Sequence, residues 1–205
     1  MNRATLIKAV QTRMSDVMPG SQIEVASNPF VDALLNDSVE NFYMMLPTNV
    51  LPHFDFKAYE TRLVPSDENI IYRIKLPELF IRLIEFRCTS WRRSVSSALP
   101  EGSPQHHAQF GKFTFGGNTR PCVTLVSDLE LKSRSLEYYF YDSTAPDVSI
   151  ITASCAVKSD AEDIPANLLD SFAWYVASTA FTAMQEFDAS KACMEKVTEF
   201  IALHK

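Results

Sequence analysis

Apolar residues recur every three or four positions near the start of the chain, which is the spacing of an amphipathic helix. One such run covers residues 5–18 and ends at Pro19 and the glycine that follows it. Asn28 followed by Pro29 is typical of a helix start, and the second run continues to Pro47. The first 47 residues therefore predict two helices. Their apolar positions are Leu6, Ile7, Val10, Met14 and Val17 in the first, and Phe30, Leu34, Leu35, Ser38, Phe42 and Met45 or Leu46 in the second.

The pattern changes to short runs rich in β-branched and aromatic residues over 66–158, which is typical of strands. Turn residues bound these runs, and the glycines and prolines of 99–120 predict a loop. Both faces of the run 80–88 are partly apolar, so we expect it to be covered on both sides. The segment predicts a meander-like antiparallel block of about five strands. The predicted strands are 70–74, 80–88, 122–126, 136–141 and 148–157.

The helical spacing returns after Pro165 and predicts alanine-rich helices over 164–204. One face of the first carries Leu169, Phe172, Val176, Ala180, Ala183 and Phe187, and Asp188 is positioned to cap a final helix. Helices, a β block and further helices in this order predict an α+β fold. We expect a single domain over residues 1–205, in which N-terminal helices span 1–47, the β block spans 66–158 and C-terminal helices span 164–204.

Composition and charge narrow the possible functions. A chain of 205 residues with 46% hydrophobic residues can bury a core without disulfides or metal. Its net charge of −6 argues against general binding to nucleic acid or anionic lipid. No apolar run approaches the roughly 18 residues of a spanning helix, and the first residues lack a secretory signal, so we expect neither membrane insertion nor secretion. Four isolated cysteines predict free thiols in a reducing compartment: Cys88, Cys122, Cys155 and Cys193.

Sequence signatures of catalysis are missing. The chain has no nucleophile elbow, phosphate-binding loop or zinc-protease motif. His106 and His107 are adjacent, but any further metal ligands would be distant in sequence, so a polar loop is favoured over a metal site. A cysteine acting beside a histidine is the catalytic alternative, although three of the cysteines lie in apolar runs. The sequence therefore predicts no enzyme, no cofactor and no metal.

Trp91, Arg92 and Arg93 follow a predicted strand and are candidate interface residues. Tryptophan and arginine dominate binding hot spots, which is the argument for an interface anchor. The alternative is a tryptophan in the local core beside an arginine pair at the strand edge, and a third interpretation is a contact to nucleic-acid phosphates.

Three phenylalanines on the long loop are further candidates: Phe110, Phe113 and Phe115, with Arg120 close by in sequence. Leaving all three rings in water is unfavourable. The loop therefore packs on its own core or docks on a neighbouring subunit. Long loops without structure of their own are uncommon unless they are functional, which favours docking.

Two stretches of the β region carry a resemblance to a known family. Residues 76–84, Leu-Pro-Glu-Leu-Phe-Ile-Arg-Leu-Ile, and 91–95, Trp-Arg-Arg-Ser-Val, resemble head–tail ring or adaptor proteins of crAss-like phages of gut Bacteroidales. Arg120-Pro121 before a strand, Leu136-Glu-Tyr-Tyr, and Ile164-Pro165 before an alanine-rich helix follow in a compatible order. That order is similar, more distantly, to the tail-tubular adaptors of short-tailed phages. The resemblance covers 70–187.

The resemblance implies a virion structural protein of the phage neck or tail. Such adaptors form a closed ring, usually twelve-fold, beneath the portal. The implied partners are further copies, the portal protein and other neck or tail rings, while genome DNA passes through the lumen without sequence-specific binding. The protein would reside in the host cytoplasm during assembly and afterwards in the virion. The alternatives are another neck protein (head completion, stopper or tail terminator), a small cytosolic Cys/His enzyme, or a ligand-binding module.

Overall fold

The computed structural model describes residues 2–19, 28–64, 70–111, 114, 116–140 and 149–204, and the α+β class is confirmed. The helices of the described residues are α1 Arg3–Val17, α2 Asn28–Met45, α3 Pro104–Ala108, α4 Leu169–Ala183 and α5 Phe187–Leu203. The strands are β1 Phe54–Asp55, β2 Thr61–Val64, β3 Ile70–Lys75, β4 Phe80–Cys88, β5 Leu99–Pro100, β6 Val123–Asp128, β7 Ser133–Phe140 and β8 Ile150–Val157. None of the described helices combines the length and apolar character needed to cross a membrane.

The chain divides into two compact units. The helical unit comprises Met1–Pro52 and Lys158–Lys205, and the β unit comprises His53–Val157. The two predicted helical segments, 1–47 and 164–204, thus fall into one unit, and the predicted β block falls into the other up to residue 157. The single domain 1–205 stays a prediction.

Helix α4 packs against α1, α2 and α5 in the helical unit. Leu6, Val10 and Met14 are buried, so the core face predicted for α1 is confirmed. The ring of Phe42 on α2 packs edge-on against Phe172 on α4, with centroids 5.3 Å apart. Aromatic pairs in this geometry add to the stability gained by burying their area.

The core face predicted for α2 is confirmed at Leu35, Ser38, Phe42 and Leu46, which are buried. Val31 and Val39 are fully buried, whereas Phe30 and Leu34 are only half-buried and Met45 is 39% exposed. The buried positions form the row that contains Phe42, which contacts α4. The buried face of α2 therefore overlaps the predicted one and extends to Val31 and Val39.

The continuous apolar face predicted from Leu169 to Phe187 is wrong beyond Ala180. Helix α4 ends at Ala183, and Gln185 adopts a left-handed backbone conformation with φ 64°, which breaks the helix. As a result Ala183 and Phe187 are exposed. Helix α5 begins at Phe187, so Asp188 lies in its first turn and not at the capping position.

The β unit is built from two sheets. The three-stranded sheet has the order β1-β8-β4, and the five-stranded sheet has the order β2-β3-β7-β6-β5. Neighbouring strands are antiparallel, except that β5 and β6 are parallel. Side chains of both sheets meet in one core, where the rings of Phe86 on β4 and Tyr138 on β7 lie 5.0 Å apart. The unit is therefore a small β-sandwich.

All five predicted strands exist, but the predicted meander is wrong. Strands β4 and β8 pair with one another, while β3, β6 and β7 belong to the other sheet. One sheet containing all five strands would leave the aromatic faces of β4 and β7 in water, and two layers bury them against each other. The two-residue strands β1 and β5 and the four-residue strand β2 were not predicted, since runs this short carry little alternation.

Candidate interface

Trp91 lies in the core of the β unit, which is the packing alternative that the sequence left open. Its side chain is 2% exposed, and its ring contacts Phe86 at 5.6 Å and Phe140 at 6.0 Å between centroids. The side chain of Trp91 therefore presents no surface to a partner. Its role is to support the backbone that continues into the two arginines.

Arg92 and Arg93 are exposed, and the structure brings them close to the segment that carries Arg120. The Arg92 N–H donates to the carbonyl oxygen of Asn118 at 3.0 Å. Among the described residues no carboxylate lies within 4.0 Å of any of the three guanidinium groups. We call Arg92, Arg93 and Arg120 the arginine patch.

The backbone beneath the arginine patch is held on both sides. Val95 exchanges two backbone hydrogen bonds with Phe86 of β4, at 2.8 and 2.9 Å. The Arg120 N–H donates to the Gly116 carbonyl oxygen, and a Cβ at Gly116 would overlap the carbonyl oxygen of Arg120. Glycine is thus required for the turn that presents Arg120. A cavity of about 290 Å³ adjoins the patch, with Arg93, Leu99 and Pro121 in its wall.

Phe110 is 44% exposed and follows the short helix α3. Its ring contacts His106 at 5.2 Å and Tyr139 at 6.3 Å between centroids, so one side of the ring is packed and the other faces solvent. Phe113 and Phe115 lie outside the described residues. Of the three predicted loop phenylalanines, Phe110 is thus the one that the structure places at a surface.

Helix α3 corrects the prediction of a polar loop around the two histidines. The Ser103 hydroxyl accepts a hydrogen bond from the His106 N–H at 3.2 Å, and Pro104 occupies the first turn, as is typical of a helix start. His107 is exposed, but His106 is buried at 7% exposure. The described residues contain no group of three or more His, Cys, Asp or Glu side chains arranged to hold a metal ion.

His106 belongs to a group of hydrogen-bonded side chains on the face of the five-stranded sheet opposite the core. We call this group the polar cluster; its members are Arg62, Arg73, His106, Asp128, Glu137 and Tyr139. The Gly102 N–H donates to His106 Nδ1 at 2.9 Å, so Nδ1 is an acceptor and Nε2 carries the proton. His106 Nε2 in turn lies 3.2 Å from Glu137 Oε1 on β7. Both ring nitrogens are therefore occupied by partners within the protein.

Glu137 is 1% exposed and accepts hydrogen bonds from three elements. The Tyr139 hydroxyl donates to Oε1 at 2.5 Å, and Arg73 Nε on β3 donates to Oε2 at 2.7 Å. Burial, followed by the hydrogen bond to Glu137, raises the pKa of Tyr139 well above its ordinary value. A buried carboxylate is tolerated because a guanidinium and two further donors replace its hydration.

Asp128, whose side chain is fully buried at the end of β6, continues the cluster. Its Oδ2 is 2.7 Å from Arg62 Nη2 and 3.2 Å from Arg73 Nη1, and its Oδ1 accepts from the N–H groups of Glu130 and Leu131. Burial alone would raise the pKa of Asp128, but these four donors outweigh it and lower the pKa to about 2. The carboxylate thus joins two strands and closes the turn after β6.

The acid and base atoms of the polar cluster are all engaged by other groups of the protein, which is the geometry of a structural cluster and not of a catalytic site. Both oxygens of Glu137, both oxygens of Asp128 and both nitrogens of His106 have partners within the protein. No unoccupied acid or base atom of these three residues is presented to solvent. The cluster joins α3 to β7, and so it fixes the position of Phe110. Sequence reasoning missed it, although charges that interrupt apolar strands, such as Arg73 and Glu137, were the available signal.

The four cysteines are free, and the expected burial of Cys88, Cys155 and Cys193 is confirmed. Burial raises the pKa of Cys88 and Cys155 to about 12 and that of Cys122 and Cys193 to about 11. Since the thiolate is the nucleophile, these groups are poorly suited to covalent catalysis at neutral pH.

Alkylation of the native protein measures this directly. At pH 8 we expect each thiol to react with iodoacetamide about 100-fold more slowly than the same thiol in the urea-unfolded chain, because an ordinary cysteine has a pKa near 8.5. Mass spectrometry of the peptides gives the rate for each site. One thiol that reacts as fast in the native protein as in the unfolded chain would contradict the prediction and would favour the alternative function, a Cys/His enzyme.

No protein-family model matches the sequence, and no curated protein is found to be similar to it.

Proposed function

We propose that the chain is a structural subunit of a head-to-tail connector ring beneath a phage portal, through which genome DNA passes. The proposal rests on the resemblance of 70–187 and on the surface described above. The closed ring, with twelve-fold symmetry, follows from the resemblance alone, as does a location in the neck or tail of the virion.

The observation that carries the proposal is the arginine patch. Three exposed arginines without carboxylate partners among the described residues stand on a chain of net charge −6. A second copy therefore carries excess negative charge that can complement the patch, and two different faces meet when subunits close a ring. The ring of Phe110 is partly exposed, and phenylalanine is one of the residue types that are enriched at the centre of protein interfaces.

The rest of the molecule supports a structural role over a catalytic one. Its most elaborate polar cluster has its acid and base atoms occupied internally, and burial raises the pKa values of its thiols. The acidic balance supports a lumen that does not hold DNA, so we expect no tight, salt-sensitive complex with duplex DNA.

The nearest alternative is a protein of another neck layer, such as a head-completion, stopper or tail-terminator protein. It would share the surface properties and differ in its partner. Native mass spectrometry of the purified chain with and without its candidate portal separates the two. A ring that forms on the portal supports the adaptor, whereas a chain that remains monomeric and ignores the portal argues for another layer or a role outside the virion.

Variants of the arginine patch test whether the patch takes part in assembly. We expect Arg92→Glu with Arg93→Glu to weaken ring or portal assembly at least about 30-fold, and Phe110→Ala to weaken it as well, since hot-spot truncations cost about 2 kcal/mol or more. Light scattering over a concentration series gives the midpoint of assembly.

The matched control is Lys57→Glu with Lys191→Glu. Both lysines are exposed and lie outside the patch, and the net charge changes by the same amount as in the patch variant. Circular dichroism establishes that each variant is folded. Equal loss of assembly in both double variants would mean that net charge, and not the arginine patch, governs association. Unchanged assembly in the patch variant would remove the patch from the interface.

A further inference from the structure

A basic pocket lies in the β unit between the turn that joins β3 to β4 and the turn that joins β6 to β7. Its volume is about 280 Å³. Lys75, Lys132 and Arg134 line it together with Ser133 and a single acid, Glu78. Pockets for drug-sized ligands begin at about 300 Å³, so this one suits a small group.

The three cationic side chains have no ion-pair partner among the described residues. No carboxylate of these residues lies within 4.0 Å of the charged nitrogens of Lys75, Lys132 or Arg134. The Arg134 guanidinium lies over the ring of Phe80, 5.5 Å from its centroid, which holds the group in place and leaves its charge uncompensated. With Glu78, the pocket carries a net charge of about two positive units if all four groups are ionised.

The backbone of the pocket is fixed before any ligand binds. The Leu76 N–H donates to the Arg134 carbonyl oxygen at 3.0 Å, which joins the two turns. Asp128 Oδ1 accepts from Glu130 and Leu131 and holds the second turn. Lys132 within that turn has φ 48°, a left-handed conformation that a non-glycine residue adopts at a cost. Such strain concentrates at ligand-binding positions.

We propose that this basic pocket binds the phosphate group of a small molecule, either free orthophosphate or the phosphate of a mononucleotide. A phosphate monoester carries about −1.5 to −2 charges at pH 7 and three acceptor oxygens, which match the net charge and the donors of the pocket. The site is separate from the arginine patch and is independent of the ring proposal.

Titration of the full chain with inorganic phosphate, followed by amide NMR and calorimetry, tests the site. We expect saturable binding with a dissociation constant near or below about 1 mM, with shifts confined to the two turns. Sulfate should compete because it has the same shape and charge, whereas chloride at equal ionic strength should not. Comparing adenosine monophosphate with adenosine and with orthophosphate identifies which source of phosphate binds better.

Two variants move the affinity in opposite directions. Lys132→Gly removes one cation and relieves the left-handed backbone, so we expect a folded protein that binds phosphate about tenfold more weakly. Glu78→Gln removes the single acid of the pocket and should tighten binding. Lys191→Gln, on an exposed lysine of the helical unit, changes the net charge as Lys132→Gly does and should leave the affinity unchanged.

Three results would overturn the proposal. They are the absence of saturable binding, equal weakening by Lys132→Gly and Lys191→Gln, and shifts spread over surfaces outside the two turns. Duplex DNA that bound more tightly than orthophosphate and lost affinity in Lys132→Gly would instead make the pocket a nucleic-acid contact, and the small-molecule proposal would be wrong.

Discussion

Replacing Asp128 by asparagine is expected to lower the free energy of unfolding of the β unit by about 2–3 kcal/mol. The buried carboxylate is the shared partner of Arg62 and Arg73, whose side chains are themselves only about a fifth exposed. An amide of the same size removes that negative charge, while Arg62 keeps Glu130 at 3.1 Å and Arg73 keeps Glu137 at 2.7 Å. The amide can still accept from the turn with its oxygen, so the loss is mainly electrostatic. Urea denaturation followed by circular dichroism measures it.

The same variant should change how stability depends on pH. The pKa of Asp128 is lowered to about 2 in the folded chain, against an ordinary value near 3.9. A carboxyl group whose folded pKa is depressed contributes stability that is fully present above the unfolded value and is lost as the pH falls through the folded value. Asp128 should therefore contribute about 2 kcal/mol that disappears between roughly pH 4 and pH 2, and Asp128→Asn should lack this component of the acid sensitivity.

Asp170 provides the matched control for Asp128. It pairs with Arg13 at 2.6 Å, but its side chain is 66% exposed. Exposed ion pairs contribute little, so we expect Asp170→Asn to change stability by less than about 1 kcal/mol. Equal effects of the two substitutions would contradict the importance of burial for Asp128. An unchanged pH profile in Asp128→Asn would show that other groups cause the acid sensitivity.

The helices could be predicted from the sequence because their patterns are long. The run 5–18 repeats its apolar spacing over several turns, and Leu6, Val10 and Met14 are buried as that spacing indicates. The burial of Val31 and Val39 on α2 and the break after α4 could not be predicted. The first depends on which partner covers the helix, and the second depends on one left-handed residue, Gln185, whose side chain gives no sign of it.

The strands could be predicted one by one, but their division between two sheets could not. The run 80–88 was expected to be covered on both sides, and Phe80, Leu83, Ile84, Phe86 and Cys88 are indeed buried. Pairing between β4 and β8 joins residues that are about 70 positions apart, and no local pattern specifies such a partner.

The assembly of the candidate interface from segments that are distant in sequence could not be predicted either. Arg92, Arg93 and Arg120 are exposed as their residue types indicate, but the sequence gives no reason for segments 92–95 and 116–120 to lie together. One backbone hydrogen bond between Arg92 and Asn118 joins them. Likewise, His106 finds Glu137 only after α3 has folded over the sheet, because the two residues are 31 positions apart.

Trp91→Ala is expected to destabilise the β unit by about 3–5 kcal/mol. The side chain is 98% buried against rings from both sheets, including Phe86 and Phe140, so truncation leaves a large cavity in a close-packed core. Trp174 is a matched comparison: it lies on α4, is half-buried and carries the Arg13 guanidinium 5.2 Å above its ring. Trp174→Ala should cost less, because some of its area already contacts water. Urea denaturation gives both values.

Trp91→Phe separates packing from recognition. The indole nitrogen of Trp91 has no hydrogen-bond partner within the described structure, so phenylalanine removes ring volume without breaking a hydrogen bond. We expect a cost of about 1–3 kcal/mol, smaller than that of Trp91→Ala, and assembly with the portal at the concentration that the unchanged chain requires. A Trp91→Phe protein that is stable but no longer assembles would mean that the ring is exposed and bound during assembly, contrary to its position in the core. If stability falls and assembly holds, Trp91 acts on the ring only by supporting Arg92 and Arg93 from beneath.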